Sequence, residues 1–241
     1  MSNLIAYHGD PAIKKTYLAR VREHARLDHL VQGTGWKNGK GCAVGCTLEA
    51  YDHARYPIEL GVPEWLAHLE DGIFEELPWD DARTWPERFL DAIPVGADLE
   101  PVQWQQAIWR HERQLAALEG NAEPCAQQVR DAIGLVIDYC RARLDGTATE
   151  EQRKAARSAA AWSAESAAES AESAAAWSAE SAAESAAWSA ASAAAWSAES
   201  AAASAAFWSE AGPGDPAHWH DEAENLLQLL ANARGGVTAN A

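Results

Sequence analysis

The chain has 241 residues, with 36 Asp and Glu against 19 Lys and Arg, and a formal net charge of −17. Such an acidic balance disfavours the phosphate backbone of nucleic acid and anionic bilayers, so the expected partners are proteins, with no nucleic acid and no membrane. The start MSNLIAYHGD lacks the basic flank and apolar run of a signal peptide, and the 4 cysteines make no dense disulfide framework. No stretch reaches the roughly 20 apolar residues of a membrane span, and together these features predict a soluble protein of the reducing cytoplasm.

No convincing period-two strand appears, Leu4 to Tyr7 being the one candidate for a short strand. Asp10-Pro11 is a helix start, because an Asp side chain accepts from free first-turn amides and proline needs no amide partner there. Ile13, Tyr17, Val21, His24, Leu27 and Val31 recur at helical spacing up to Gly33. Gly33 to Gly41 is rich in glycine and reads as an irregular loop. A second helix is predicted from Cys42 to about Tyr56, where Pro57 ends it.

Pro63 opens a third helix with a stripe of Leu66, Leu69, Ile73 and Leu77, closed by Pro78. Trp85, Phe89 and Ile93 mark a fourth. A fifth starts between Asp98 and Pro101 and carries Trp104, Ile108, Leu115 and Leu118. A sixth, Cys125 to Leu144, lines up Val129, Ile133, Val136, Ile137 and Cys140. Thr149 with Gln152 forms a capping-box pattern, and from Glu150 to Ala211 neither Gly nor Pro occurs; at 1.5 Å per residue that predicts a rod of roughly 90 Å. Gly212-Pro213-Gly214 breaks it. Asp215-Pro216 then repeats the start signal, and Leu226, Leu227 and Leu230 give a last amphipathic helix ending at Gly235.

The fold class is therefore all-α: a helical globular domain over 1–146, a long Ala/Ser/Trp/Glu helix over 147–211, and a break with a short amphipathic helix over 212–241. In the long helix, the nine residues from Trp162 recur from Trp177, a shift of 15 residues and about 3.75 per turn over four turns. At about 96° per residue Trp162, Trp177, Trp188 and Trp196 fall on one stripe, with Glu165, Glu169, Glu180, Glu184 and Glu199 beside it. The remaining face is almost pure alanine, which lets helix axes approach closely, and a period above 3.6 favours a right-handed supercoil. Such a tract also arises as expanded low-complexity sequence.

Cys42 follows the glycine loop at a helix start, near Lys37 and Lys40, where helix dipole and cations would stabilise a thiolate. That makes Cys42 a candidate catalytic nucleophile, with His24, His29 or His53 as its base. Within a helix running to Tyr56, Cys42, Cys46 and His53 share one face and are candidate zinc ligands, a fourth being unidentified. The bland alternative makes both cysteines small buried residues.

The stretch from Tyr7 to Leu99, with its GKGCAVGC segment and GVPEWLAHLEDGIFEELP helix, resembles a group of uncharacterised bacterial and phage proteins that also carry alanine-rich low-complexity tails. The resemblance implies a phage or mobile-element setting and transfers no catalytic residue. The expected function is that of a helical interaction or structural protein, self-associating or binding a protein partner through the long helix. The alternatives are a cysteine-dependent enzyme using Cys42 and an acidic mimic of DNA.

Overall fold

The computed structural model describes residues 4–119, 124–159 and 216–235, and these form helices with one two-stranded ribbon. The class is all-α. The described chain forms two compact units: residues up to Val102 together with the C-terminal helix, and the chain from Gln103. The C-terminal helix belongs to the first unit. No described helix is long and apolar enough to cross a membrane.

In the first unit, α1 (Pro11–Arg26) begins as its sequence predicts, with the Asp10 carboxylate accepting from the Ala12 amide at 2.8 Å. It buries Tyr17, Leu18, Val21 and His24, then stops short of Gly33, because Asp28 turns into the left-handed region at φ 52°. Leu4 to Tyr7 is not a strand: Ala6–Gly9 is a 3-10 turn, with Tyr7 and His8 left-handed. Ala6 is nevertheless paired, its amide donating to Ala97 and its carbonyl accepting from Gly96.

The segment from Gly33 to Gly41 is not the irregular loop expected of its glycines, because it contains a hairpin. β1 (Trp36–Lys37) pairs antiparallel with β2 (Lys40–Gly41) across Asn38-Gly39, whose φ values of 54° and 78° are those of the turn an Asn-Gly pair favours. The single helix expected from Cys42 to Tyr56 is two short ones, α2 (Ala43–Leu48) and α3 (Arg55–Glu59), separated where Glu49 adopts a left-handed cap. Burial explains the short α2: all six of its residues are inside, so tertiary packing, not propensity, holds it.

α4 (Glu64–Glu76) buries Leu66, Leu69, Ile73 and Phe74 and is followed by α5 (Trp79–Ala82) and α6 (Trp85–Ala92). The Trp85 indole N–H donates to the Glu70 carbonyl at 2.9 Å, and the Tyr7 hydroxyl to the Leu90 carbonyl at 2.6 Å, so the largest buried side chains also satisfy backbone groups. α7 (Glu100–Ala117) carries the chain into the second unit, where it meets α8 (Pro124–Leu144) and a helical segment at 150–159. Trp104, Val136, Tyr139, Cys140 and Ala156 form the core there, with the Arg143 guanidinium 4.6 Å from the Trp104 ring centre. The capping box is made as its residues predict: the Thr149 amide donates to the Gln152 side chain at 2.9 Å and the Gln152 amide to the Thr149 hydroxyl at 3.1 Å. The continuation of that helix through the Ala/Ser/Trp/Glu repeats lies outside the described residues.

The C-terminal helix α9 (Pro216–Ala231) packs on α4 and α6 and buries Trp219, Ala223, Leu226 and Leu230. Arg88 pairs with Glu224 at 2.6 Å, and the Asp98 amide donates to the Arg234 carbonyl at 2.9 Å. Leu226→Ala leaves a hole at a fully buried position and is expected to cost about 3 kcal/mol of unfolding free energy. Urea denaturation of the full-length variant measures it; a loss below about 0.5 kcal/mol would mean that α9 is not part of this core.

Candidate functional site

The site forms where the loop before the hairpin lies on the start of α2. The Cys42 amide donates to the Thr34 carbonyl at 2.7 Å and to that of Gly35 at 3.1 Å. The Gly35 oxygen sits so close that a Cβ added at Gly41 or Gly45 would stand 2.1 or 1.9 Å from it. On its other side Gly35 lies under the Tyr51 ring, 2.5 Å from where its own Cβ would point. Three glycines let backbone and ring touch without side chains between them.

This packing puts Cys42 inside, at 1% exposure, with its sulfur accepting from the Gly45 amide at 3.4 Å. Across from it stand Asp71 and Glu75, one turn apart on α4, and one ligand atom from each of Cys42, Asp71 and Glu75 lies within 4.8 Å of the others. Asp71 is buried. Its Oδ2 accepts from the Tyr51 hydroxyl at 3.0 Å and faces His53 Nε2 at 3.3 Å, whereas Oδ1 is buried without a hydrogen-bond partner. Glu75 is half-buried and accepts from the Gly33 amide at 2.5 Å, while the Gln32 amide group bonds the carbonyls of Phe74, Glu75 and Leu77. The loop is thereby fastened to the C-terminal end of α4.

The electrostatics oppose a resting thiolate. Burial pushes the Cys42 thiol up, and the Asp71 carboxylate adds to it. Burial likewise raises the Glu75 carboxyl to about 7. The lysines expected to help are elsewhere: Lys40 donates to the Asp28 carbonyl at 3.3 Å, and Lys37 is exposed on the hairpin. His53 meets Asp71 and stacks on His68, with centroids 4.0 Å apart and an interplanar angle of 8°. Burial, then His53, lowers the His68 imidazole to about 4.

The sequence-predicted residues therefore separate. Cys46, proposed with Cys42 and His53 as a zinc ligand, directs its thiol to the carbonyls of Gly41 at 3.4 Å and His29 at 3.6 Å, and burial pushes it up to about 12. The shared helical face that suggested the set does not exist, because α2 ends at Leu48 before His53 is reached. His24 and His29 face each other through their Nδ1 atoms at 3.3 Å, and His24 lies 3.6 Å from Glu49, an arrangement apart from the acids that meet Cys42. Asp71 and Glu75 were not singled out from the sequence. Their signal was an acidic pair four residues apart on a helix whose apolar stripe also contains Glu70, now fully buried and bonded by the Tyr56 hydroxyl. Among the described residues, Cys42, Asp71 and Glu75 are the group with the donor set and spacing for a metal ion.

No protein-family model matches this chain, and no curated protein or solved structure matches it either.

Two outcomes test the site's packing and charge. Cys42, Cys46 and Cys140, all buried, are expected to resist iodoacetamide at about pH 7 in the folded protein and to react in denaturant; rapid labelling of Cys42 in the native state would restore the nucleophile reading. His68 is held neutral by the fold, so the unfolded chain binds its proton first as pH falls from about 6.5. The His68 contribution to stability is then expected to fall from about pH 6.5 towards pH 4, measured as the difference between the wild type and His68→Phe in urea titrations at several pH values, because the raised Glu75 carboxyl acts in the opposite direction over the same window.

Proposed function

We propose that this is an α-helical interaction protein whose Ala/Ser/Trp/Glu tract is the assembly element and whose folded units hold that tract at both ends. The observation that carries the reading is the placement of α9. The chain entering the tract is helical at 150–159 in the second unit, and the chain leaving it is built into the core of the first through Trp219, Leu226 and Leu230. A repeat that served as a trailing tail would leave nothing behind it that the core needs. Here the first unit requires residues that follow the repeat.

The Cys42 environment supports the same reading by what it withholds. A nucleophile needs an ionised, reachable thiol with a base beside it, and this thiol is enclosed, raised by burial and faced by carboxylates. The tryptophan stripe supplies the anchor chemistry of interfaces: large aromatic area opposite an alanine face on which a second helix can lie close. The acidic stripe favours a partner with basic groups or an antiparallel copy offering its alanine face. A phage or mobile-element setting agrees with the resemblance of residues 7–99.

Sedimentation of the full-length protein tests this. Self-association is expected between about 1 and 100 μM, and replacing Trp162, Trp177, Trp188 and Trp196 together by Ser is expected to leave a folded monomer. A wild-type protein that stays monomeric throughout, with tryptophan emission unchanged by concentration, would remove self-assembly as the role of the tract.

A further inference from the structure

The triad beside the loop has a chemistry that the assembly reading does not use. Three potential anions converge: a thiol at 1% exposure, a carboxylate at 4%, and a second carboxylate that reaches the surface. Among the described residues no Lys or Arg pairs with Asp71 or Glu75 to offset them. Burying such groups together as anions is unfavourable; they stay protonated, as the raised Cys42 and Glu75 do, or a cation joins them.

A second observation concerns the carboxylate of the same triad. Asp71 Oδ1 is buried and accepts no hydrogen bond, although Oδ2 of the same carboxylate faces two partners. That division matches a metal-binding carboxylate, whose outer oxygen is held by neighbouring side chains while the inner one is kept for the ion. Tyr51 and His53 would be those outer partners.

We propose that Cys42 Sγ and one carboxylate oxygen from each of Asp71 and Glu75 bind a single zinc ion, leaving a fourth position open to water on the Glu75 side. Ligands around tetrahedral zinc stand roughly 3.3–3.8 Å apart, so a group spread over at most 4.8 Å closes with side-chain movements of about 1 Å. The mixed sulfur and oxygen set selects zinc over magnesium or calcium, which take oxygen alone. On binding, the thiol proton leaves to solvent as the zinc–sulfur bond forms, and no electron is transferred. The ion would also tie the start of α2 to α4, adding to the fastening that Gln32 and Gly33 already provide.

The test uses full-length, reduced, chelator-treated protein titrated with zinc(II) against a chromophoric chelator, and with cobalt(II) as a spectroscopic probe. One equivalent of zinc is expected, and cobalt is expected to show a thiolate charge-transfer band with the visible bands of a four-coordinate ion. Cys42→Ser, Asp71→Asn and Glu75→Gln should each weaken zinc binding by about tenfold or more, while Cys46→Ser leaves it within about twofold. Asp71 and Cys42 are buried and their variants can lose the fold, so Glu75→Gln, at a half-buried position and checked by far-ultraviolet circular dichroism, is the deciding variant. Absence of stoichiometric zinc binding, a cobalt spectrum without the thiolate band, or unchanged affinity in folded Glu75→Gln would each overturn the site. None of these outcomes bears on self-association, so the two readings fail separately.

Discussion

The first unit turns on one backbone contact: the Gly35 carbonyl lodged against Gly41 and Gly45, where no side chain could be accommodated. From that contact the Cys42 amide finds its two acceptors, the thiol is enclosed, and Tyr51 is laid on Gly35 with its hydroxyl directed at Asp71. A side chain at Gly41 or Gly45 would hold the loop away from α2, and one at Gly35 would displace the Tyr51 ring. The hairpin of Trp36 to Gly41 serves the same end, since it reverses the chain within a few residues and returns it to the helix start.

Around this contact the unit accepts an unusual load of buried acid. Glu70 is fully enclosed, raised far above the ordinary carboxyl range by burial, and bonded by Tyr56. Asp71 follows directly, and Glu75 one turn later. A neutral Glu70 is the physically acceptable form, because an isolated charge there would cost several kcal/mol. The two neighbours differ from it in facing a thiol and a loop rather than the apolar centre, which is why one helix carries a structural acid and a candidate ligand pair side by side.

The path of the chain gives the repeat tract its meaning. Residues on its far side return to α4 and α6 and bury a tryptophan and two leucines, so the first unit is completed only after the repeat has been made. Long-range closure of this kind is entropically costly in proportion to the logarithm of loop length, a modest penalty even for a long insertion. The tract can therefore vary in length without forfeiting the core, provided α9 follows it.

The sequence by itself determined the helical class, the start of α1 at Asp10-Pro11, the Thr149–Gln152 capping box and the amphipathic closing helix, because each depends on contacts within a few residues. The Asn38-Gly39 turn carries a local signal of the same kind, but the surrounding glycines make the segment read as an irregular loop. Tertiary structure alone decided that the helix begun at Cys42 ends at Leu48, since the left-handed Glu49 and the burial of every α2 residue come from neighbours distant in sequence. It alone brought Asp71 and Glu75 to Cys42 in place of Cys46 and His53. Helical spacing relates residues within one helix, whereas a thiol and carboxylates some thirty positions apart meet only when Gly35, Gly41 and Gly45 let a loop lie against α2 and bring its start to α4.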